Sequence, residues 1–249
     1  MTIKIEVPKD TFHTDYNNLT LRMARLAERD GDVFLPNPKP ASKVDYIFIA
    51  MEPSLGRWAK SKEEAEAKVS QGFRNFLDGY DTMILHFCIR QYLLNPGESY
   101  HITDLSKGAM LVKWAGTERK ERYNRWFGLL QEEIELLSKP ATMIFAVGTK
   151  VDNYLERNGF DKPWKLLLHY STNAASFRAI PGKEKEFETF ANQVSHDDFL
   201  EVAHAVLKDA NIPEEFGEAA YKKMKRSSLT VSRKELMFNY KSELDAGYV

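Results

Sequence analysis

The chain has 249 residues, 43% of them apolar and 29% charged, with a formal net charge of -1. This composition excludes disorder along the whole chain and a uniformly basic surface, so any nucleic-acid partner needs a local basic face. The single cysteine, Cys88, excludes an intrachain disulfide and Cys-rich zinc or iron-sulfur ligation.

Residues 12 to 30 set Leu19, Met23 and Leu26 at helical spacing, with Asn17 or Asn18 able to cap the start and Gly31 to close the end. The proline-rich "VFLPNPKPASK" reads as a loop, and "VDYIFIA" as a central parallel strand, because its apolarity is nearly continuous. "SKEEAEAKVSQGFRNFLDG" and "YDTMILHFCIRQYL" supply helices, and Tyr100 to Leu105 a second strand. "RKERYNRWFGLLQEEIELLSK" is the clearest helix, with Trp126, Leu129, Leu130, Ile134 and Leu137 in one stripe. Pro140 marks the boundary to a third strand, "ATMIFAVG"; a short helix and a fourth strand, "WKLLLHYS", follow. Alternating strands and helices predict an α/β fold, a three-layer α/β/α sandwich with a mostly parallel sheet of about four strands.

Beyond Ser171 one further helix is expected, from Asp197 to Asp209. Lys222 to Lys241 then holds seven Lys or Arg and one acidic residue, Glu235. The predicted organisation is one domain over residues 1–215 and a basic C-terminal extension over 216–249, packed on or flanking it. That block reads as a solvated surface, a mobile tail or a nucleic-acid contact. No 18-residue apolar stretch and no secretory h-region appear, so no membrane partner and a cytoplasmic location are expected.

Ligands of open parallel sheets sit outside the carboxyl ends of the strands. Those ends carry Glu52, Asp104 with Lys107, and His169 with Ser171. Pro53 keeps Glu52 extended, so its carboxylate is pointed, either as a cap for the next helix or as a chemical group. His169 reads as a core-rim histidine or a ligand contact, and Asp104 and Lys107 as a local ion pair or site residues. Histidine spacing suggests no metal site. The glycine patterns of dinucleotide, P-loop and esterase sites are missing, so no cofactor is expected.

In order, Ala50-Met51-Glu52-Pro53-Ser54, Thr103-Asp104-Leu105-Ser106-Lys107, Val147-Gly148 and His169-Tyr170-Ser171 resemble the strand-end motifs of the uracil-DNA glycosylase superfamily, over roughly residues 44–180. The resemblance implies a DNA glycosylase-like hydrolase that cleaves the N-glycosidic bond of a flipped-out modified or deaminated base. Glu52 would stabilise the cationic sugar and orient water, and His169 would hydrogen-bond the base oxygen gaining charge. Asp104, Ala50 and one of Phe87, Tyr170 or Trp58 would hold the base. Ser54, Ser171, Lys107 and Arg178 would contact phosphates or the DNA backbone.

Three positions depart from the family pattern: Ala50 replaces a glycine, Tyr170 a proline and Asp104 an asparagine. An ionised Asp104 only accepts hydrogen bonds, which disfavours uracil and favours a base with an amino group. Two other readings remain: a non-catalytic nucleic-acid or nucleotide-binding protein of this fold, and a small-molecule enzyme acting on a nucleoside-like ligand. The residues do not distinguish single- from double-stranded DNA or indicate an oligomeric state.

Overall fold

The computed structural model describes residues 11–56, 58–110 and 112–245, with backbone alone at 112–118, 172 and 173. The N-terminal stretch in which a secretory segment was sought lies outside the described residues. The first half of the chain forms α1 (Phe12–Arg29), β1 (Val33–Phe34), β2 (Val44–Ala50), α2 (Lys62–Ser70), α3 (Tyr80–Tyr92), β3 (Tyr100–Asp104), β4 (Gly108–Ala109) and α4 (Val112–Leu137). The second half forms β5 (Ser138–Val147), α5 (Thr149–Arg157), β6 (Trp164–Leu167), a 3-10 turn (Thr172–Phe177), α6 (Glu184–Gln193), α7 (His196–Asp209), α8 (Glu214–Lys225) and α9 (Val231–Leu244).

The central sheet has four strands in the order β3-β2-β5-β6, every pair parallel. Strand β2 and the C-terminal half of β5 are buried on both faces, which is why they read as continuous apolar runs. Tyr46, Phe48, Ala50, Phe145 and Val147 face α3, α7 and α9. Ile47, Ile49, Ile144 and Ala146 face α1, α4 and α5. The predicted α/β sandwich is therefore observed. The chain leaves β2 toward β3, then returns past β2 to β5, so the crevice above β2 and β5 is the point where the winding reverses.

Pro140 does not bound β5, as the sequence suggests, but lies within it. Val44 pairs with Ser138 and Tyr46 with Met143, so the extra residues form an irregularity that a residue without an N–H tolerates. Thr142 holds the kink: its hydroxyl accepts from the Lys139 N–H at 2.7 Å and donates to the Val44 carbonyl at 2.6 Å.

The C-terminal third is more helical than expected, with α6 and α8 beside the anticipated α7. The residues expected to form an extension packed on or flanking the domain include α9, which lies in the main apolar cluster against α3, with Leu236, Met237 and Tyr240 fully buried. The basic block of α8 and α9 lies mostly at the surface, where several of its cations have acidic partners. Lys222 meets Glu218, Lys223 meets Asp78, and Lys241 meets Asp245. Arg233 pairs with Asp81 and lies 3.7 Å over the Tyr80 ring. Among the described residues no helix is long and apolar enough to cross a membrane.

Candidate active site

Strand β2 ends at Ala50, and Glu52 follows after one residue. Its side chain is only 5% exposed because α4 supplies its partners. Oε1 accepts from Arg119 Nε at 3.0 Å and Nη2 at 2.6 Å, and Oε2 accepts from the Tyr123 hydroxyl. Arg119 and Tyr123 are four apart, hence on one helix face. Burial and the Glu52 charge push the Tyr123 phenol well above its ordinary range.

Asp104 ends β3 and is buried. Its Oδ2 accepts from Asn75 Nδ2 at 2.9 Å. Burial, together with the Glu133 and Glu52 charges, pushes its carboxyl up to about 7, against the pull of Lys107 and Asn75. Asn75 belongs to a loop over the sheet edge in which the next residue, Phe76, takes φ +64°, an unfavourable conformation for a bulky side chain. Asn75 Oδ1 supports that turn by accepting the Phe76 N–H at 2.9 Å.

His169 follows β6 and stacks on Tyr170, ring centroids 4.5 Å apart. Its Nδ1 accepts the Ser171 N–H at 3.1 Å, so Nε2 carries the proton of the neutral ring. Burial, helped by the Lys150 and Arg178 charges, lowers its pKa to about 4, so the ring is uncharged at neutral pH. Burial also raises the Tyr170 phenol, and the Asp104 and Glu52 charges add to the effect. Tyr170 thus lies in the field of both carboxylates.

A pocket of about 560 Å³ opens beside His169, floored by Met51, Gly148 and Leu167 and walled by Lys150 and Tyr240. The Tyr240 hydroxyl donates to the Leu168 carbonyl at 2.7 Å, which ties α9 to the strand end that carries His169. At the lip, Leu166 is 42% and Phe177 72% exposed, unusual for large apolar side chains.

Gly148 makes this arrangement possible. It sits at φ +97°, and a methyl there would lie 2.9 Å from His169 Cβ. Gly148→Ala is expected to cost about 1–3 kcal/mol in urea unfolding and to shift the His169 ring resonances. Unchanged stability and resonances would show that His169 does not depend on this glycine.

The structure gathers Glu52, Asp104, Tyr170, His169 and Ser171 at the carboxyl edge of the sheet. It puts other expected site residues to different use. Phe87 is a core residue of α3, packed against Tyr92 and Phe199, and is not available to stack on a base. Ala50 is buried in the same apolar cluster, with its carbonyl accepting the Leu105 N–H. Ser54 is exposed on the loop after β2, where its carbonyl accepts from Trp58, and Trp58 stacks on Phe73.

Lys107 is not a free backbone contact: its Nζ turns beneath the sheet edge to Glu133 at 2.9 Å and to Thr103. Burial opposes the charge on Glu133, yet Lys107, His101 and Thr103 outweigh it and hold that carboxyl down at about 2. Arg178 is equally engaged. It is 2% exposed and donates to the Tyr170 and Ser171 carbonyls at 2.8 and 3.1 Å, and to the Ser232 carbonyl and hydroxyl at 3.1 and 3.0 Å. Its role is to brace the His169 loop against α9. Arg178→Met would remove the donor to the Tyr170 carbonyl and the tie to Ser232, and is expected to destabilise by about 3 kcal/mol in urea titration. A loss under about 1 kcal/mol would mean that the loop holds itself.

Arg119, Tyr123, Asn75, Lys150 and Tyr240 were not singled out by sequence reasoning. Only the Arg119–Tyr123 spacing offered a signal, as two donors on one helix face able to satisfy a buried carboxylate. Among the described residues no group of His, Cys, Asp and Glu is arranged to hold a metal ion. In comparison with known proteins, no family model matches the chain and no curated protein matches it.

Proposed function

We propose that the crevice is the active site of a glycosylase-like hydrolase, of the uracil-DNA glycosylase kind, acting on a base turned out of a nucleic-acid strand. The observation that carries the reading is His169, a neutral imidazole whose Nδ1 is capped and whose Nε2–H is left to donate beside a half-open pocket. Such a donor suits a base carbonyl that gains negative charge as the C1′–N bond breaks and both bonding electrons leave with the base. The sugar becomes cationic. Glu52, once released by Arg119, would stabilise that cation and take the proton of the water that adds to C1′.

Other features support the reading. The pocket volume is in the range of small-ligand sites. Phe177 is an exposed apolar side chain at its lip, suited to fill the gap a turned-out base leaves in the stack. Asp104 meets the earlier objection to uracil-like bases. With its carboxyl pushed up to about 7 it is largely protonated in mildly acidic solution, and a protonated acid donates as well as accepts, like the amide of the family pattern.

Release of free base from oligonucleotides carrying uracil, hypoxanthine, xanthine or a damaged pyrimidine tests the proposal. Wild type should release one of them and Glu52→Gln should be slower by about 10²-fold or more. No release from any oligonucleotide, with protein in excess, would refute excision of these bases. A second reading, hydrolysis or binding of a small nucleoside-like ligand, is favoured by the pairing of Lys223 with Asp78 and of Arg233 with Asp81, which offsets part of the positive charge of the C-terminal block. It predicts little affinity for long DNA and little salt dependence.

A further inference from the structure

Glu52 is occupied. Arg119 contributes two bonds to one of its oxygens and Tyr123 covers the other, so no oxygen of the carboxylate lacks a protein donor. A carboxylate neutralised in this way stabilises a neighbouring sugar cation poorly, because the guanidinium cancels its field. The two partners differ in freedom. Tyr123 is 3% exposed and is packed edge-on against Tyr154 at 5.1 Å. The Arg119 side chain is 24% exposed, so part of it reaches solvent while it still holds Glu52.

A guanidinium pairs with a phosphate as readily as with a carboxylate, through the same fork of N–H donors. We propose that Arg119 is an exchange residue: a backbone phosphodiester of the bound strand takes Arg119 from Glu52, so the carboxylate is unmasked only when nucleic acid occupies the crevice. The inference rests on the nucleic-acid reading of the site and adds Arg119 as the residue that couples strand binding to Glu52. Arg178 and Lys107, expected as phosphate contacts, are both buried in internal bonds, whereas Arg119 keeps an exposed edge beside the carboxylate it would release.

The test is binding of a fluorescent oligonucleotide at several salt concentrations by wild type and Arg119→Gln, with the Glu52 carboxylate carbon followed by Glu-selective ¹³C labelling. The exchange predicts that Arg119→Gln weakens binding and lowers the slope of log affinity against log salt by about one. It also predicts that the Glu52 carbon shifts when wild type takes up the strand, and that free Arg119→Gln already shows much of that shift. If wild type binds, yet its Glu52 carbon stays in place or the slope is unchanged in the variant, the exchange is wrong and the glycosylase reading stands. If wild type binds no oligonucleotide at low salt, the exchange and the nucleic-acid reading fall together. If Arg119→Gln fails to fold, the wild-type carbon shift decides alone.

Discussion

Asp104→Asn is expected to make the protein more stable at pH 8, by about 3 kcal/mol, and to leave its stability near pH 4 almost unchanged. The amide has the shape of the acid and no charge to bury. An aspartate that titrates at 3.8 when unfolded and at about 7 when folded holds its proton more tightly in the native state. The native state therefore bears a cost that is absent below the unfolded value, grows as pH rises between the two, and is complete above about 7. That interval corresponds to about 4 kcal/mol, from which some loss of the charge-assisted Asn75 bond is subtracted. Urea titrations of both proteins at pH 4, 6 and 8 would show the two stabilities diverging with pH. Parallel curves, or a variant less stable at pH 8, would mean that Asp104 is ionised without penalty.

The second large effect concerns His169. If its Nε2–H stabilises the departing base, His169→Ala should lower kcat by about 10²–10³ and change KM little, because the bond strengthens only as charge develops. The pH profile separates this role from mere packing. His169 titrates at about 4, so it contributes no limb between pH 5 and 8. Asp104 does titrate there, and for a base read by a donor and an acceptor the rate should fall above about pH 7. In Asp104→Asn that fall should vanish while the His169 dependence persists. A rate that instead rises through pH 6 to 7 in the Asn variant would point to a histidine acting as a base, contrary to this scheme.

The sheet was legible because β2 and β5 carry unbroken apolar runs that only a strand covered on both faces needs. The strand ends, and with them Glu52, Asp104 and His169, followed directly from that. The partners of Glu52 were not legible in the same way, since Arg119 and Tyr123 lie 67 and 71 residues away and meet it only through tertiary packing. Lys107 and Arg178 were misassigned for a related reason. A cation near a strand end reads as exposed until its burial is known, and both are drawn inward by acceptors on other elements. Helix α9 escaped notice because Leu236, Met237, Phe238 and Tyr240 do not form one stripe. Both α3 and α6 pack against it, so its apolar residues are distributed around the helix axis.

The position of α9 also bears on how the pocket comes into being during synthesis. Tyr240 forms part of its wall and anchors Leu168, while Met51, on its floor, leaves the ribosome nearly two hundred codons earlier. Loop closure over such separations slows assembly. A nascent chain that has completed all four sheet strands still lacks the helix that closes the site. The crevice therefore becomes competent only when the last helix docks, and truncation within α9 should abolish ligand uptake while the parallel strands remain paired.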